Sequence, residues 1–329
     1  MFSKFNDKIF SKTFLDQIFS ILKFTPNIRL SRTNVFTTIA ENFRKLGYVD
    51  GKSLHGAPYD FREAQDEKFY IKVKNLIEIT YKRNKNKKVV IIAHSYGGLI
   101  ANIFLNKQRI AWKNHYLHVL FTISTPWTGS VKTVIGLMKG LNFGVPWTRP
   151  NEWKDLLRSY QSAISLLPSQ KNWKSKQPFI LTKDKNFTNN DIDTLIKVLN
   201  YPSSYQRWQF LSNIIDNIKP PKIKTYCYFG GGYKTIKQLD YTFTKFPNGQ
   251  PKLTYELADG TVNLKSLNYC NTWKNSYIHI SKQFQNNSHN GILHNLDMIE
   301  NINKIILETE PLHDLPIVKR KISIKVYSC

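Results

Sequence analysis

Residues Val89–Phe104 read VVIIAHSYGGLIANIF. The β-branched run Val89 to Ile92 meets the turn His94-Ser95-Tyr96-Gly97-Gly98, and an apolar segment follows at once. A short continuous apolar run bounded by a turn reads as a strand buried on both faces. Such strands belong to parallel sheets covered by helices. The surrounding segments agree. Residues 32–47 and 67–83 read as helices, the second with Phe69, Val73, Leu76, Ile77 and Thr80 at helical spacing. A loop carrying GAPYDFRE (56–63) lies between them. The basic stretch 82–88 forms a turn into the strand, residues 97–108 read as the next helix, and 117–125 (LHVLFTIST) as the next strand. This alternation with short links predicts an α/β fold on a mostly parallel sheet with helices on both faces.

At 329 residues and 41% hydrophobic, the chain supports a sizeable core in one large domain, or a core domain plus a cap. Residues 126–222 break the alternation. They open on Pro126-Trp127, carry Phe143, Trp147, Trp153, Tyr160 and Trp173, and become polar with short helical pieces after 186. They read as a lid or cap inserted into a domain spanning 32–310. Residues 223–232 return to strand character, 257–267 are a loop entering a helix, and 289–307 are a loop and then the last apolar helix. Residues 1–31 read as an extension forming an amphipathic helix, with Phe14, Ile18 and Leu22 on one face. Asp16 and Gln17 interrupt its apolar part, so it does not read as a signal peptide. Residues 311–329 form a basic, alternating tail.

Charge is lopsided, with 48 Lys+Arg against 23 Asp+Glu, a formal +25. Such a field attracts anionic partners. Lys is spread along the whole chain with frequent Asn, and no zinc-finger, RNP-type or basic-helix pattern is present, so no nucleic-acid partner is expected. An anionic membrane or lipid aggregate fits better. No apolar run reaches the ~18 residues of a membrane-spanning helix. Cys227, Cys270 and Cys329 lack C-x-x-C spacing, which argues against a structural zinc site.

A Ser between a buried strand and a helix, flanked by small residues, matches the Gly-x-Ser-x-Gly elbow of α/β-hydrolases. Here Ala93 stands for the first Gly and Gly97 for the second. The elbow lifts the Ser95 hydroxyl clear of the sheet and aims the Tyr96 backbone N–H at a developing oxyanion. The competing reading is a Ser that only caps a helix. A serine nucleophile needs a His base and an acid to orient it, in the chain order Ser, Asp or Glu, His. Asp259 in ADGTV suits the acid, against an ordinary Asp-Gly turn. For the base, His289 lies in a polar loop that Ile292 and Leu293 can pin to the core, and His294 borders the helix. His289 is preferred on this ground and His294 stays open. His94 should point away and reads as structural, and His55 precedes Ser95, against the expected order.

Five segments together, GYVDGKSLHGAPYDFR, AHSYGG, STPWTGSV, ADGTVNLKSL and HNGILHN, resemble the lecithin:cholesterol acyltransferase family, and most of all its lysosomal phospholipase A2 branch. The resemblance runs from about Asn34 to Leu307. It implies Ser95 as nucleophile, Asp259 as acid and His289 as base, with His294 in reserve. It also implies a disulfide between Cys227 and Cys270, with no partner for Cys329. Family enzymes move a fatty acyl chain from a glycerophospholipid to water or to a lipid alcohol such as a sterol, without metal or organic cofactor. The partners implied are therefore phospholipid and acyl-acceptor lipid, and a monomer is expected. Residues 140–153 fall at the family's mobile lid, where Phe143, Val145 and Trp147 would meet lipid by apolar burial.

One departure stands out. Family members carry a strand and a PG loop ahead of GAPYD, and the loop supplies a second oxyanion donor. No such segment is found in this chain. Losing one such donor costs about two to three orders of magnitude in rate. The alternative is therefore a catalytically impaired lipid-binding relative. The implied disulfide and the sequons at Asn186 and Asn286 fit a secretory, lysosomal or vacuolar lumen.

Overall fold

Val89–His94 form strand β2, and all six residues are buried. The structure, a computed structural model, describes residues 36–62, 66–141, 149–173, 177–200, 202–273, 279–308 and 323–327. Alternation along β2 splits the core in two. Val89, Ile91 and Ala93 face one side, where they pack with Tyr70, Val73, Ile77 and Leu99. Val90 and Ile92 face the other, with Ile39, Phe43, Met298 and Ile302. Burying Val or Ile side chains is worth about 1.5–3 kcal/mol each, so β2 is anchored from both sides.

The sheet runs β1 (Leu54–Gly56), β9 (Ser323–Tyr327), β2, β3 (Leu117–Ile123), β5 (Thr225–Gly230), β8 (His279–Phe284). Every pairing in it is parallel. Helices α1 (Thr37–Lys45) and α5 (Leu296–Glu308) supply the second side of the core. Helices α2 (Glu67–Arg83) and α3 (Tyr96–Asn106) supply the first, and α4 (Ile110–Tyr116) leads into β3. In α2 the expected spacing holds. Asp66 caps it by accepting from the Phe69 N–H at 3.1 Å, and Phe69, Val73, Ile77 and Thr80 are buried.

Two features differ from the sequence reading. Among the described residues no strand precedes β1, yet β1 and β2 are not neighbours. Ser323–Tyr327, from the basic tail, lies between them, with Tyr327 level with Ala93. A strand buried on both faces leaves unpaired backbone groups at an open edge, and the alternating tail meets that need. The polar stretch after 186 also holds a longer helix than expected, Pro202–Asp216. Trp208, Leu211 and Ile215 are buried along one stripe of it, and the Trp208 indole N–H donates to Asp193.

Between β3 and β5 the chain makes the cap, with helical segments at 131–139, 154–159, 161–165, 192–198 and 202–216. A small second sheet joins β4 (Ile180–Leu181), β6 (Tyr233–Asp240) and β7 (Lys252–Ala258). The antiparallel β6–β7 pair delivers Asp259 at the end of β7. The N-terminal extension and the lid residues Phe143, Val145 and Trp147 lie outside the described residues.

Candidate active site

Ser95 has φ 53° and ψ −128°, a strained conformation for a residue with a Cβ. Its N–H donates to the Ile123 carbonyl at 2.8 Å, tying the turn to the end of β3. The helix behind it approaches closely. A Cβ on Gly98 would lie 1.9 Å from the Thr125 hydroxyl oxygen, so only glycine fits. The Ser95 side chain makes no cap bond to α3. Its hydroxyl instead lies 2.9 Å from His289 Nε2. The capping alternative therefore fails on geometry.

Asp259 is fully buried. One carboxylate oxygen accepts the backbone N–H groups of Thr261 (2.9 Å) and Val262 (2.7 Å). The other faces His289 Nδ1 at 2.7 Å. Gly260, at φ +85°, lets the chain turn back over the carboxylate, and its N–H donates to the Thr235 hydroxyl at 2.8 Å. The Asp-Gly turn thus holds the Asp259 carboxylate against His289.

His289 sits on a loop between β8 and α5. Its backbone N–H donates to the Asp259 carbonyl at 2.7 Å. Ile292 and Leu293 are fully buried and pin the loop as expected. His294 is placed elsewhere. It is exposed, and its Nδ1 pairs with the Thr38 hydroxyl at 2.5 Å. His55 meets the Lys52 carbonyl at 3.1 Å. Of the three histidines weighed as base or excluded on order, only His289 reaches Ser95.

The arrangement fixes the proton positions. Facing a carboxylate, His289 Nδ1 carries hydrogen and donates, which leaves Nε2 free to accept from the Ser95 hydroxyl. Burial pushes the Asp259 carboxyl up. The opposing charge and hydrogen bond of His289, with the Val262 and Thr261 N–H groups, outweigh it, so the carboxyl stays below the usual carboxylate range. Asp259 therefore holds His289 in one tautomer as an anion.

Tyr96 opens α3, so its backbone sits at that helix's N-terminal end, while its buried phenol is within 3.2 Å of the Ser165 hydroxyl in the cap. Cys227 on β5 and Cys270 in the 3-10 turn Asn268–Trp273 form a disulfide, both buried. It closes a loop of 43 residues that contains Asp259. Cys329 is outside the described residues. The sequence reading missed one contact: His94, read as pointing away, bonds the His289 backbone through its Nε2.

The model of the family described as lecithin:cholesterol acyltransferase matches residues 15–218. The lysosomal phospholipase A and acyltransferase of Canis lupus familiaris is 30% identical over 82% of this chain and 64% of its own length. The Mus musculus protein of the same name is 30% identical over 84% of this chain and 68% of its own. Phosphatidylcholine-sterol acyltransferase of Homo sapiens is 29% identical over 82% and 62%. The chain thus spans about two thirds of the length of these relatives. Among solved structures, a chain of the Tle4-Tli4 complex matches with TM-score 0.50 at 12% identity, over 76% of this chain and 68% of that one, a likeness of fold alone. The sheet and helices are those of an α/β-hydrolase, and the chain belongs to the lecithin:cholesterol acyltransferase family.

Proposed function

We propose that the protein is a serine-dependent lipid acyl hydrolase and O-acyltransferase acting on glycerophospholipids. The observation that carries this reading is the continuous line from the Asp259 carboxylate through both nitrogens of His289 to the Ser95 hydroxyl on a strained turn. Relatives named as phospholipase A and acyltransferase support the substrate class.

In the first half-reaction Ser95 Oγ attacks the ester carbonyl carbon, and its proton passes to His289 Nε2. Asp259 stabilises the imidazolium that forms. The carbonyl oxygen becomes an oxyanion beside the Tyr96 backbone N–H. As the tetrahedral adduct collapses, the ester C–O bond breaks, and His289 returns its proton to the departing lysophospholipid oxygen. The acyl chain is left on Ser95. In the second half-reaction His289 takes a proton from water or from a lipid hydroxyl, whose oxygen attacks the acyl carbon. As this second adduct collapses, the Ser95 Oγ–acyl C–O bond breaks and His289 returns its proton to Ser95 Oγ, releasing a fatty acid or a new ester.

The disulfide and the lysosomal relatives support a compartment of the secretory pathway, since such bonds persist in oxidising lumens. The lid residues Phe143, Val145 and Trp147 are proposed to contact the lipid aggregate, with the chain's positive charge drawing it to anionic surfaces.

The test is acyl release and transfer on mixed phospholipid liposomes, with and without a sterol or long-chain alcohol. The reading predicts free fatty acid without the alcohol and a new ester with it, both abolished in Ser95→Ala. Covalent labelling of Ser95 by a fluorophosphonate separates this from a lipid-binding relative without catalysis. An activity that survives in Ser95→Ala contradicts it.

A further inference from the structure

We infer that His94 is a positioning residue for the acyl-transfer reaction. It holds the backbone of the base His289 in register with Ser95. The inference rests on the reading proposed above and adds a residue to it.

Strand alternation sends His94 to the same side of the sheet as Val90 and Ile92, toward α1 and α5. The loop carrying His289 crosses that side just before α5. There the His94 imidazole, 3% exposed, meets the His289 backbone carbonyl through Nε2 at 2.8 Å. A carbonyl only accepts, so His94 Nε2 bears the hydrogen. The two rings lie 4.9 Å apart at 51°, and the Phe36 ring stands edge-on to His94 at 6.3 Å. Burial, with the nearby His289 charge, pushes the His94 imidazole down to about 3, against smaller opposing contributions from its backbone bond and from Asp259. His94 is thus neutral wherever His289 works, and it keeps its donor without competing for the proton.

The consequence is a closed frame. The His289 backbone N–H is bound to the Asp259 carbonyl, and its carbonyl is bound to His94. Its ring is bound to Asp259 on one nitrogen and Ser95 on the other. His94 directly precedes Ser95, so one residue fixes the span between the strained turn and the base. Removing the bond leaves a buried carbonyl without its partner and frees the loop to shift. Small misplacements of reacting groups are costly in rate because productive geometry is narrow. A histidine that merely filled space would need no directed bond to the base.

Substitutions separate the two roles. The side-chain amide N–H of Gln reaches about as far as imidazole Nε2, and that of Asn only as far as Nδ1. On phospholipid liposomes, His94→Asn and His94→Leu are expected to lower kcat by about 10–100-fold with KM changed less than about twofold. His94→Gln is expected to stay within about threefold of the unaltered protein. Urea unfolding of each variant accompanies the kinetics, and rates are normalised to the fraction titrated at end point by a fluorophosphonate. If His94→Leu does not fold, the Gln and Asn pair still decides. Equal kcat in Asn and Gln variants, whether both retained or both lost, overturns the inference. Absence of turnover in the unaltered protein would overturn the acyl-transfer reading instead. The nitrogen shifts of His94 still test the bond in that case: hydrogen on Nε2 supports it, and hydrogen on Nδ1 refutes it.

Discussion

The elbow and the cap are built by opposite means. Around Ser95 the constraint is local: a buried strand, small residues at the turn, a helix that needs Gly98 against Thr125. In the cap, short helices without a shared period are held by distant contacts, such as Trp208 with Asp193 and Ser169 with Asp216. The elbow cannot change without losing its geometry. The cap depends on many contacts, and the Tyr96–Ser165 bond is one that joins the two regions. Reactivity should therefore be set at the elbow, and stability shared between both.

The largest effects should come from the reacting groups. Ser95→Ala and His289→Ala are each expected to lower kcat by roughly 10⁴–10⁶. His294→Ala should stay within about threefold, since this exposed residue pairs through Nδ1 with Thr38 rather than with Ser95. Steady-state hydrolysis of a soluble short-chain ester by the three variants checks this. Comparable losses in His289→Ala and His294→Ala would break the distinction.

Next come three stability effects, at the disulfide, in the cap and at the elbow. Replacing Cys227 and Cys270 by Ala should cost about 4 kcal/mol, the entropy of opening a loop of this size. The loop holds Asp259, so activity in mild denaturant should fall before global unfolding. Trp208→Ala should cost about 3–5 kcal/mol through the cavity left in the cap. Its kcat on a soluble ester should nevertheless stay within about threefold under native conditions. Denaturant unfolding with parallel activity measurements reads both. At the elbow, Gly98→Ala should cost about 1–3 kcal/mol by forcing α3 off Thr125, and unlike Trp208→Ala it should also lower kcat.

How much was legible follows the same division. The elbow turn and the line from Ser95 through His289 to Asp259 could be anticipated because each leaves a local mark. His289 was separable from His294 because buried Ile292 and Leu293 anchor one loop. The β9 strand was not readable as part of the sheet, because its pairing with β2 spans most of the chain. The helix at 202–216 was hidden because its apolar stripe is sparse and the Asp193 partner of its Trp208 indole lies outside the helix. The His94 contact was missed for a related reason. Alternation gives the face it points to, but not that the base loop crosses that face 195 residues later.

A further effect is in pH dependence. An unfolded histidine titrates near 6.5, whereas buried His94 titrates at about 3. Between these values the unfolded chain binds the extra proton, so stability is lost as pH falls through this window. The loss is at most about 1.4 kcal/mol per pH unit from this group. His94→Gln removes it. Urea unfolding at pH 7, 6, 5 and 4 should give a shallower slope in the variant than in the unaltered protein. The depressed Asp259 acts in the same direction only below its ordinary value near 3.8, and equally in both proteins.

The central claim is that Ser95 carries the acyl chain. Rapid acid quenching during turnover on phospholipid liposomes, followed by mass spectrometry of the peptide containing Ser95, tests it directly. The account predicts a fatty acyl adduct on Ser95 that disappears on adding a lipid alcohol and accumulates nowhere in Ser95→Ala. An adduct on another residue, or turnover with Ser95 unmodified throughout, would contradict it.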